Sequence, residues 1–398
     1  MSPFYLSALA GISIGDFPYW LFLVLSLASL VYYGYAIVAA LRFRSRSIAI
    51  DPDFHPPVSI LKPLCGEGVQ LYKNLASFCQ QDYPTYQIVF AVRDYQDPSV
   101  SIVKQLMEDF PDVRTRLVID PNVVGTNRKV CNLANAFPAT EHEILVLADS
   151  DVRVGSDYLT RVVQPLRDPA VAVVTCMYRS LTSGFVTTWE AIGTATDFHP
   201  GVIVSTYLEG IKFAMGQTIV IRKSVLEEIG GFESIADYLA DDFQLGYLPA
   251  RAGYRVVLST YIVEHVLGSS SFFASWQRQT RWTLCVRVSR IWGYIGLIFT
   301  HGTVTSLLFL IASRGSMLGW TLLGLVWTSR LLMAWLVGVA ILDDATVKKW
   351  LWLVPARDIF SFALWCYCFI GDTVEWSNRR LKITRDGKLV PVENLVKS

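Results

Sequence analysis

The chain of 398 residues is 52% hydrophobic and 13% aromatic, with a mean hydropathy of +0.38. Soluble domains are usually about 45–50% apolar with glycine counted in, so this composition excludes an ordinary soluble protein and indicates a part embedded in a membrane. The formal charge of +1 excludes the basic field that nucleic-acid binding needs, and no nucleic acid is expected as a partner.

The first apolar segment covers residues 18–41 and contains no charged residue. As a helix it is long enough to cross a hydrocarbon core of about 30 Å. Asp16 precedes it and Arg42 begins the basic run that follows it, the reverse of the charge order in a cleavable signal peptide. We therefore expect a short N-terminal segment at residues 1–17 and a transmembrane helix at residues 18–42. Because basic residues beside a span prefer the inside, the next domain is expected on the cytoplasmic face.

Residues 58–283 have the pattern of an α/β domain, in which apolar runs of strand length alternate with helical periodicity. The predicted strands are residues 58–61, 87–92, 116–119 and 144–148, and the predicted helices between them are residues 72–79, 100–109 and 130–136. This alternation predicts a mostly parallel, doubly wound, Rossmann-like sheet. Ligands of such sheets bind at the carboxyl ends of the strands, so polar residues at those ends are candidates for a binding site.

A second apolar region covers residues 284–372 and is followed by a basic tail at residues 373–398. Its candidate spans are residues 291–312, 317–342 and 350–370. Three full crossings would place the tail outside, whereas its basic residues favour the inside. Since Pro355 and Asp358 interrupt the last candidate, we expect that segment to be interfacial or re-entrant, which leaves two or three spans. Arg330, Arg357 and Asp358 are costly in lipid and are expected to face protein, water or a substrate head group.

Two carboxylates, Asp149 and Asp151, follow the strand predicted at residues 144–148. Divalent ions such as Mg²⁺ and Mn²⁺ bind proteins through one or two carboxylates together with substrate phosphates, so this DxD pair predicts a metal site. An isolated DxD is also typical of a helix cap or a solvated turn. Asp94 follows the strand at residues 87–92 and places a third acid at the same edge of the sheet, which favours the binding site.

Cationic and amide side chains are expected at the same edge. Lys62 lies at the end of the first strand, and a glycine turn at Gly125 runs into a predicted helix start that carries Lys129 and Asn132. The amino end of a helix with a nearby lysine suits a diphosphate. An ordinary loop before an amphipathic helix has the same spacing, so the motif alone leaves both interpretations open.

Two further motifs follow these strands. Asp241 and Asp242 open a predicted helix; one acid can cap the helix, while the other is free to act as a general base on an acceptor hydroxyl. Arg278, Arg281 and Trp282 come just before the second apolar region. Arginine and tryptophan are common anchors at a membrane interface. The planar guanidinium of Arg281 also suits a leaving diphosphate, with Trp282 against the acceptor.

The motifs occur in the order D, DxD, D, RxxRW, which resembles the pattern of processive and lipid-directed glycosyltransferases of family 2 type with a GT-A fold. Their residues are Asp94, Asp149, Asp151, Asp242 and 278–282. More specific motifs are similar to those of the ceramide glucosyltransferase-like enzymes of family 21. These motifs are Leu61-Lys62-Pro63-Leu64, Gln81-Asp82-Tyr83-Pro84, Phe198-His199-Pro200 and Gly230-Gly231-Phe232. The bacterial hopanoid N-acetylglucosaminyl transferases are similar along much of the same length.

The resemblance implies a role for each matching residue. Asp94 would contact the uridine of a UDP-sugar, and Asp149 and Asp151 would bind a divalent metal, Mn or Mg, and the diphosphate. Asp242 would be the catalytic base, and Arg281 with Trp282 would close the donor and acceptor site. Further contacts with the UDP-sugar are expected from Lys62, Lys129, Asn132 and Arg278, and a substrate contact is expected from His199.

The sequence therefore predicts an integral, multi-pass membrane enzyme with a GT-A domain between N-terminal and C-terminal transmembrane helices. Its expected reaction is metal-dependent, inverting transfer of glucose from UDP-glucose to a ceramide-like lipid of the bilayer. An alternative is transfer of N-acetylglucosamine to a hopanoid polyol, because the animal ceramide enzymes have glycine where this chain and the bacterial enzymes have the acid Asp151. A more distant alternative is a membrane receptor or transporter that binds nucleotides without turnover, which would need no base such as Asp242.

Overall fold

The computed structural model describes residues 17–376 and 379–392. The predicted N-terminal segment, except its last residue, and the end of the basic tail lie outside these ranges. The helices are α1 (Phe17–Arg44), α2 (Leu71–Cys79), α3 (Ser99–Asp109), α4 (Arg128–Ala136), α5 (Tyr158–Val162), α6 (Phe185–Gly193), α7 (His199–Leu208), α8 (Lys223–Glu228), α9 (Asp241–Arg251), α10 (Phe272–Ser289), α11 (Ile291–Gly296), α12 (Gly302–Ala312), α13 (Met317–Trp335), α14 (Ala345–Trp350) and α15 (Val354–Tyr367). The strands are β1 (Val58–Pro63), β2 (Tyr86–Val92), β3 (Arg114–Ile119), β4 (Ile144–Leu147), β5 (Val152–Arg153), β6 (Val171–Leu181), β7 (Ile219–Arg222), β8 (Arg255–Val266), β9 (Thr373–Trp376), β10 (Arg379–Ile383) and β11 (Leu389–Pro391).

Within the described residues, eight strands form one sheet in the order β3-β2-β1-β4-β7-β6-β8-β5. Strand β1 pairs in parallel with β2 and β4, and β2 pairs in parallel with β3. This half confirms the α/β sheet that the alternating pattern predicted. Strand β7 then runs antiparallel to both β4 and β6, so the whole sheet is mixed.

The central strands are buried on both faces. Every residue of β1 and β4 is buried, as expected for parallel strands that are covered by helices on both sides. Ile60 and Val146 belong to the core on one face of the sheet, whereas Leu61 and Leu145 belong to the core on the other face. The second core also includes Phe43 near the end of α1. The sheet and the N-terminal helix are therefore joined through one hydrophobic core.

The described residues contain two helices that are long and apolar enough to cross a membrane, Phe17–Arg44 and Met317–Ile341. The first is the helix predicted at residues 18–42. A third candidate is the pair Ile291–Thr300 and Gly302–Ala312, whose two parts are bent by 56°. The hydroxyl of Tyr33 accepts a hydrogen bond from the amide of Gly302 at 3.0 Å, so α12 packs directly on α1.

Arg330 lies within α13 and is only 2% exposed. Its guanidinium pairs with Asp358 of α15 at 2.6 Å and with Asp197 of the π-helical segment that joins α6 to α7. It also donates to the carbonyl oxygen of Thr196 at 3.0 Å. Arg330 and Asp358 therefore face protein rather than lipid, as expected, and they connect the membrane helix to the elements beside the sheet.

The last candidate span, at residues 350–370, is divided in the structure. A 3-10 turn at Leu351–Leu353 separates α14 from α15, and Pro355 lies in the first turn of α15, where a proline is tolerated because no helical N–H is needed there. Among the described residues, α15 is not one of the helices that are long and apolar enough to cross a membrane.

The described part of the basic tail forms a second, antiparallel sheet in the order β11-β10-β9. The amide of Leu389 donates to the carbonyl oxygen of Asp237 at 2.7 Å, and an isolated bridge joins Tyr238 to Lys388. The tail is therefore docked on the α/β domain, and both must lie on the same side of a membrane.

We expect single cysteines at Arg380 and Glu108 to react with a membrane-impermeant maleimide from the same side of the bilayer. Both side chains are exposed, one on the tail sheet and one on the α/β domain. The measurement is labelling of intact and permeabilised vesicles after the exposed Cys65 and Cys366 have been replaced with serine.

A cysteine at Met317, at the start of α13, is the control and should react from the opposite side. Labelling of the Arg380 and Glu108 positions from different sides would contradict the docking of the tail.

Candidate functional site

The first acid of the DxD pair lies where three segments of the chain meet. Asp149 follows β4, and its Oδ1 accepts from Nζ of Lys129 at 2.8 Å. The same ammonium lies 3.3 Å from Oδ2 of Asp241 at the start of α9. The side chain of Asn127 caps α4 by accepting from the amides of Lys129 and Val130, so the helix start holds Lys129 in place between the two acids.

Lys62 and Asn132 donate hydrogen bonds to backbone carbonyl oxygens next to the site. Lys62 is fully buried, its Nζ donates to the carbonyl oxygen of Asp149 at 2.6 Å, and it lies 3.8 Å from the centre of the Phe78 ring. Burial lowers the pKa of Lys62 to about 7. Asn132 donates to the carbonyl oxygen of Leu64 at 3.1 Å. The structure thus gives both residues contacts with the backbone, and their predicted contact with a UDP-sugar stays a prediction.

Asp242 is the acid at the start of α9 that has no cationic partner within 4 Å in the described structure. Its Oδ2 accepts from the amide of Gly216 at 3.1 Å and its Oδ1 from the amide of Phe243 at 2.8 Å. Burial, together with the neighbouring charge of Asp241, raises the pKa of Asp242 to about 6. Two backbone donors therefore orient a carboxylate that is still able to change its protonation state near neutral pH.

Gly216 marks the point at which the acids and the lysine come together. A Cβ atom at this position would lie 3.2 Å from Oδ2 of Asp149, 3.3 Å from Nζ of Lys129 and 3.5 Å from Oδ2 of Asp242. Any side chain would therefore occupy the space between these groups. The sequence analysis missed Gly216, for which the only local signal is a glycine just before the buried strand β7.

Asp151 is paired with a histidine that the sequence analysis also missed. Nε2 of His265, at the end of β8, lies 3.2 Å from Oδ2 of Asp151. Although burial acts to raise the pKa of Asp151, the charge and hydrogen bond of His265 lower it overall, which keeps this carboxylate ionised. Oδ1 of Asp151 is buried without a hydrogen-bond partner in the described structure, so one ligand oxygen remains available.

The residues present fit a divalent ion that takes further ligands from its substrate. The described ranges contain no group of three or more His, Cys, Asp or Glu side chains arranged to hold a metal, so a closed protein cage is not built here. Mg²⁺-type sites commonly use one or two carboxylates and complete their coordination with phosphate oxygens and water. The unpartnered oxygen of Asp151 and the neighbouring Asp149 match that donor set.

His199 is fully buried and is connected to His265 through the ring of Tyr178. Its ring centre lies 4.6 Å from that of Tyr178, which is in turn 5.4 Å from the ring of His265. Both ring nitrogens of His199 lack hydrogen-bond partners in the described residues, and burial lowers its pKa to about 3. His199 is therefore neutral at physiological pH, and its predicted substrate contact stays a prediction.

The two arginines of the RxxRW motif differ in their partners. Arg278 forms a bidentate ion pair with Glu190 of α6, at 2.7 and 2.6 Å, and Glu190 is only 1% exposed. Arg281 forms no ion pair in the described part of the chain, and its guanidinium lies 5.0 Å from the centre of the Trp376 ring. Trp282 is half-buried on the same helix. Arg281 is thus the arginine of the motif that remains free to meet an anion.

Asp94 lies apart from these groups. It is exposed in the loop after β2, and its Oδ1 accepts from the amide of Gln96 at 2.9 Å. The structure therefore brings together Asp149, Lys129 and Asp242, while Asp94 stands at the end of β2, which β1 separates from β4 in the same sheet.

Comparison with known proteins places this chain in a family. The profile of glycosyl transferase family 21 matches residues 21–389. The chain belongs to glycosyl transferase family 21. This membership confirms the resemblance found in the sequence motifs.

Relatives of this family 21 chain include ceramide glucosyltransferase 1 of Caenorhabditis elegans, which is 25% identical over 236 residues, 58% of this chain and 50% of the relative. Ceramide glucosyltransferase 3 of the same organism is 28% identical over 229 residues, 57% of this chain and 50% of the relative. The ceramide glucosyltransferase of Komagataella phaffii is 30% identical over 151 residues, 37% of this chain and 29% of the relative. The chain thus spans half or less of the length of these relatives.

A solved structure with a similar fold is the mannosyltransferase PcManGT from Pyrobaculum calidifontis, in complex with GDP-Man and Mn²⁺. It matches with a TM-score of 0.58 at 19% identity, over 88% of this chain and 99% of that chain. This likeness confirms the GT-A fold that the motifs predicted for the family 21 chain.

We expect the substitution Asp151→Asn to weaken Mn²⁺ binding in the presence of UDP by about 10–100-fold, because a neutral amide replaces the anionic carboxylate and the ion pair with His265 is lost. The measurement is a titration that follows the electron paramagnetic resonance signal of free Mn²⁺, which does not depend on turnover.

The control is Asp53→Asn, at an exposed acid of the linker before β1. Equal Mn²⁺ affinities of the two variants would remove Asp151 from the metal site.

Proposed function

We propose that this chain is a membrane-bound, inverting glycosyltransferase that moves glucose from UDP-glucose to a ceramide-like lipid. The observation that carries the proposal is the arrangement of Asp149, Lys129 and Asp242 around Gly216, together with Arg281 on α10, which forms no ion pair within the described ranges. Membership of glycosyl transferase family 21 and the names of the relatives support the donor and acceptor class.

The donor side of the reaction requires stabilisation of a leaving diphosphate. Asp149 and Asp151 would hold a divalent ion, Mn or Mg, which when bound neutralises negative charge on the diphosphate. Lys129 lies at the start of α4, where the helix dipole also favours an anion. Arg281 adds a planar, permanently charged guanidinium that no carboxylate of the described chain neutralises.

The acceptor side requires removal of a proton from a hydroxyl group. Asp242 is suited to this role because the amides of Gly216 and Phe243 fix both of its oxygens and its pKa is raised to about 6. The neighbouring acids Asp149 and Asp241 both contact Lys129, so in the described structure neither is a free nucleophile. One base without a second nucleophile supports a single displacement, which inverts the anomeric carbon and gives a β-glycoside from an α-linked donor.

A lipid acceptor agrees with the apolar surfaces next to the site. Large side chains of α10, α11 and α15 are exposed, including Phe273, Trp292 and Tyr367, and aromatic residues are typical of a membrane interface. Moving a long acyl chain into water would cost about 0.8 kcal/mol per CH₂ group. An enzyme whose site lies at the bilayer surface avoids that cost.

We further propose an integral, multi-pass topology with the catalytic domain on the cytoplasmic face. The basic run after α1 favours that side. The docked tail requires an even number of crossings between α10 and β9, which is met when α11–α12 and α13 cross and α15 stays at the interface.

Transfer of N-acetylglucosamine to a hopanoid polyol is the second candidate. It is favoured by Asp151. The bacterial enzymes also have an acid at this position of the motif, whereas the animal ceramide enzymes have glycine.

The proposed function is tested by offering the purified chain in nanodiscs both UDP-glucose and UDP-N-acetylglucosamine, with ceramide and a hopanoid polyol as acceptors. We expect mass spectrometry to detect a hexosyl ceramide and NMR to show its β configuration, because the single base supports inversion. An N-acetylhexosaminyl hopanoid as the only product would establish the second candidate, and UDP binding without any product would establish a non-catalytic binder.

The rate of transfer is expected to rise with pH through about pH 6 and to level off above it. Only the ionised form of Asp242 accepts a proton, and its raised pKa places the change of charge in this range. Below the pKa, the limiting rate should fall about tenfold per pH unit. The measurement is the pH dependence of kcat for the product identified above.

The matched variants are Asp242→Asn, which should retain UDP binding and lose transfer, and Glu227→Gln at an exposed acid of α8, which should retain both. Full turnover by Asp242→Asn would move the role of base to another residue, with Asp241 the nearest acid.

A further inference from the structure

The tail sheet, β9 to β11, contacts the segment that leads into the catalytic base. The amide of Leu389 donates to the carbonyl oxygen of Asp237 at 2.7 Å, and the amide of Leu239 donates to the carbonyl oxygen of Gly387 at 3.1 Å. These hydrogen bonds lie on both sides of the bridge between Tyr238 and Lys388. Asp242 follows this segment directly, so the tail sheet fixes the approach of the chain to the base.

The same sheet contacts the helix that carries Arg281. Nε2 of Gln277 donates to Oε2 of Glu375 at 2.6 Å, and the guanidinium of Arg281 lies 5.0 Å from the centre of the Trp376 ring. A cation at this distance from an aromatic face is attracted by the ring. In the described structure the Trp376 ring is the partner of Arg281, which has no carboxylate within salt-bridge distance.

A third contact reaches the loop before α4. Nη1 of Arg379 lies 3.5 Å from the carbonyl oxygen of Thr126, whose amide donates to Oδ1 of Asp237 at 2.8 Å. This loop leads into the start of α4 and therefore to Lys129. Three segments that carry proposed catalytic groups thus meet on one sheet.

The docking of the tail sheet is hydrophobic as well as polar. Val374 and Leu381 of the tail are buried in one core with Leu239 of the segment before α9 and Leu284 of α10. The contact is therefore part of the folded core of the protein, and it fixes the tail relative to both catalytic segments.

We infer that the tail sheet is a positioning element of the active site, in which Trp376 holds the guanidinium of Arg281 in the orientation that meets the donor diphosphate. The strand at Leu389 holds the segment before Asp242 through backbone hydrogen bonds. This inference rests on the proposed function, because it assigns Arg281 to the diphosphate. Trp376 is a positioning residue, since it acts through Arg281 rather than on the substrate.

The test compares Trp376→Ala, Trp376→Leu and Trp376→Phe in the full chain, with Arg380→Ala as the control on the exposed side of β10. Loss of the ring should weaken binding of UDP with Mn²⁺ by about 3- to 30-fold in the Ala and Leu variants. The Phe variant keeps an aromatic face and should stay within about threefold of the parent. Isothermal titration calorimetry measures the affinity, and thermal unfolding shows that each variant is folded.

The comparison of Leu with Phe separates packing from the cation–π contact. Leu fills much of the space but lacks the ring, so a Leu variant that binds UDP as well as the Phe variant would overturn the inference. It would be overturned even if the Ala variant failed to fold.

A double-mutant cycle shows whether Trp376 acts through Arg281. In an Arg281→Ala background, Trp376→Leu should cause no further loss of UDP affinity, because the group that it positions is gone. If Trp376 had only a general structural role, Trp376→Leu would reduce the UDP affinity by the same factor in both backgrounds. That result would overturn the inference.

The two levels of the proposal fail in different ways. A parent protein that neither binds UDP nor forms a glycosylated lipid would refute the proposed function. A parent that transfers glucose, with Trp376→Leu equal to Arg380→Ala in UDP affinity and kcat, would refute the positioning role alone.

Discussion

The ammonium of Lys129 between Asp149 and Asp241 is the contact on which the rest of the site depends. Two ionised carboxylates, one after β4 and one at the start of α9, would repel one another in this partly buried site without a cation between them. Because Lys129 pairs with Asp149 and Asp241, the adjacent Asp242 has no cationic partner in the described structure, and burial together with the charge of Asp241 raises its pKa. One ammonium thus forms two ion pairs, with Asp149 and with Asp241, and the acid that has this structural role differs from Asp242, the proposed base.

The α/β domain is also packed against the two long apolar helices, α1 and α13. Phe43 of α1 shares a core with Leu61 of β1, and Arg330 of α13 pairs with Asp358 and Asp197. Breaking a buried pair of this kind costs about 3–5 kcal/mol because it leaves a charge without a partner. The edge of the sheet that carries the candidate site is therefore fixed relative to α1 and α13, the two helices long and apolar enough to cross a membrane in the described residues.

The sheet and the positions of the candidate acids could be predicted from the sequence because their signals are local: an apolar run of strand length followed by Asp149, and adjacent acids at the start of α9. The partners of these groups could not be predicted, since they are distant in the chain. His265 contacts Asp151 but lies 114 positions later in the sequence. Glu190 pairs with Arg278 across 88 positions. The sheet formed by the basic tail could not be predicted either. The charge of the tail indicates on which side of a membrane it lies, but not which residues it contacts.

The position of the tail sheet has a consequence for the order in which the protein is made. The segment at Leu389 is synthesised after the membrane helices, yet it pairs with the backbone beside Asp237. The α/β domain can emerge and collapse long before this pairing is possible. This pairing must therefore wait until α15 and the strand at Leu389 have been synthesised, and a chain released early from the ribosome would lack it.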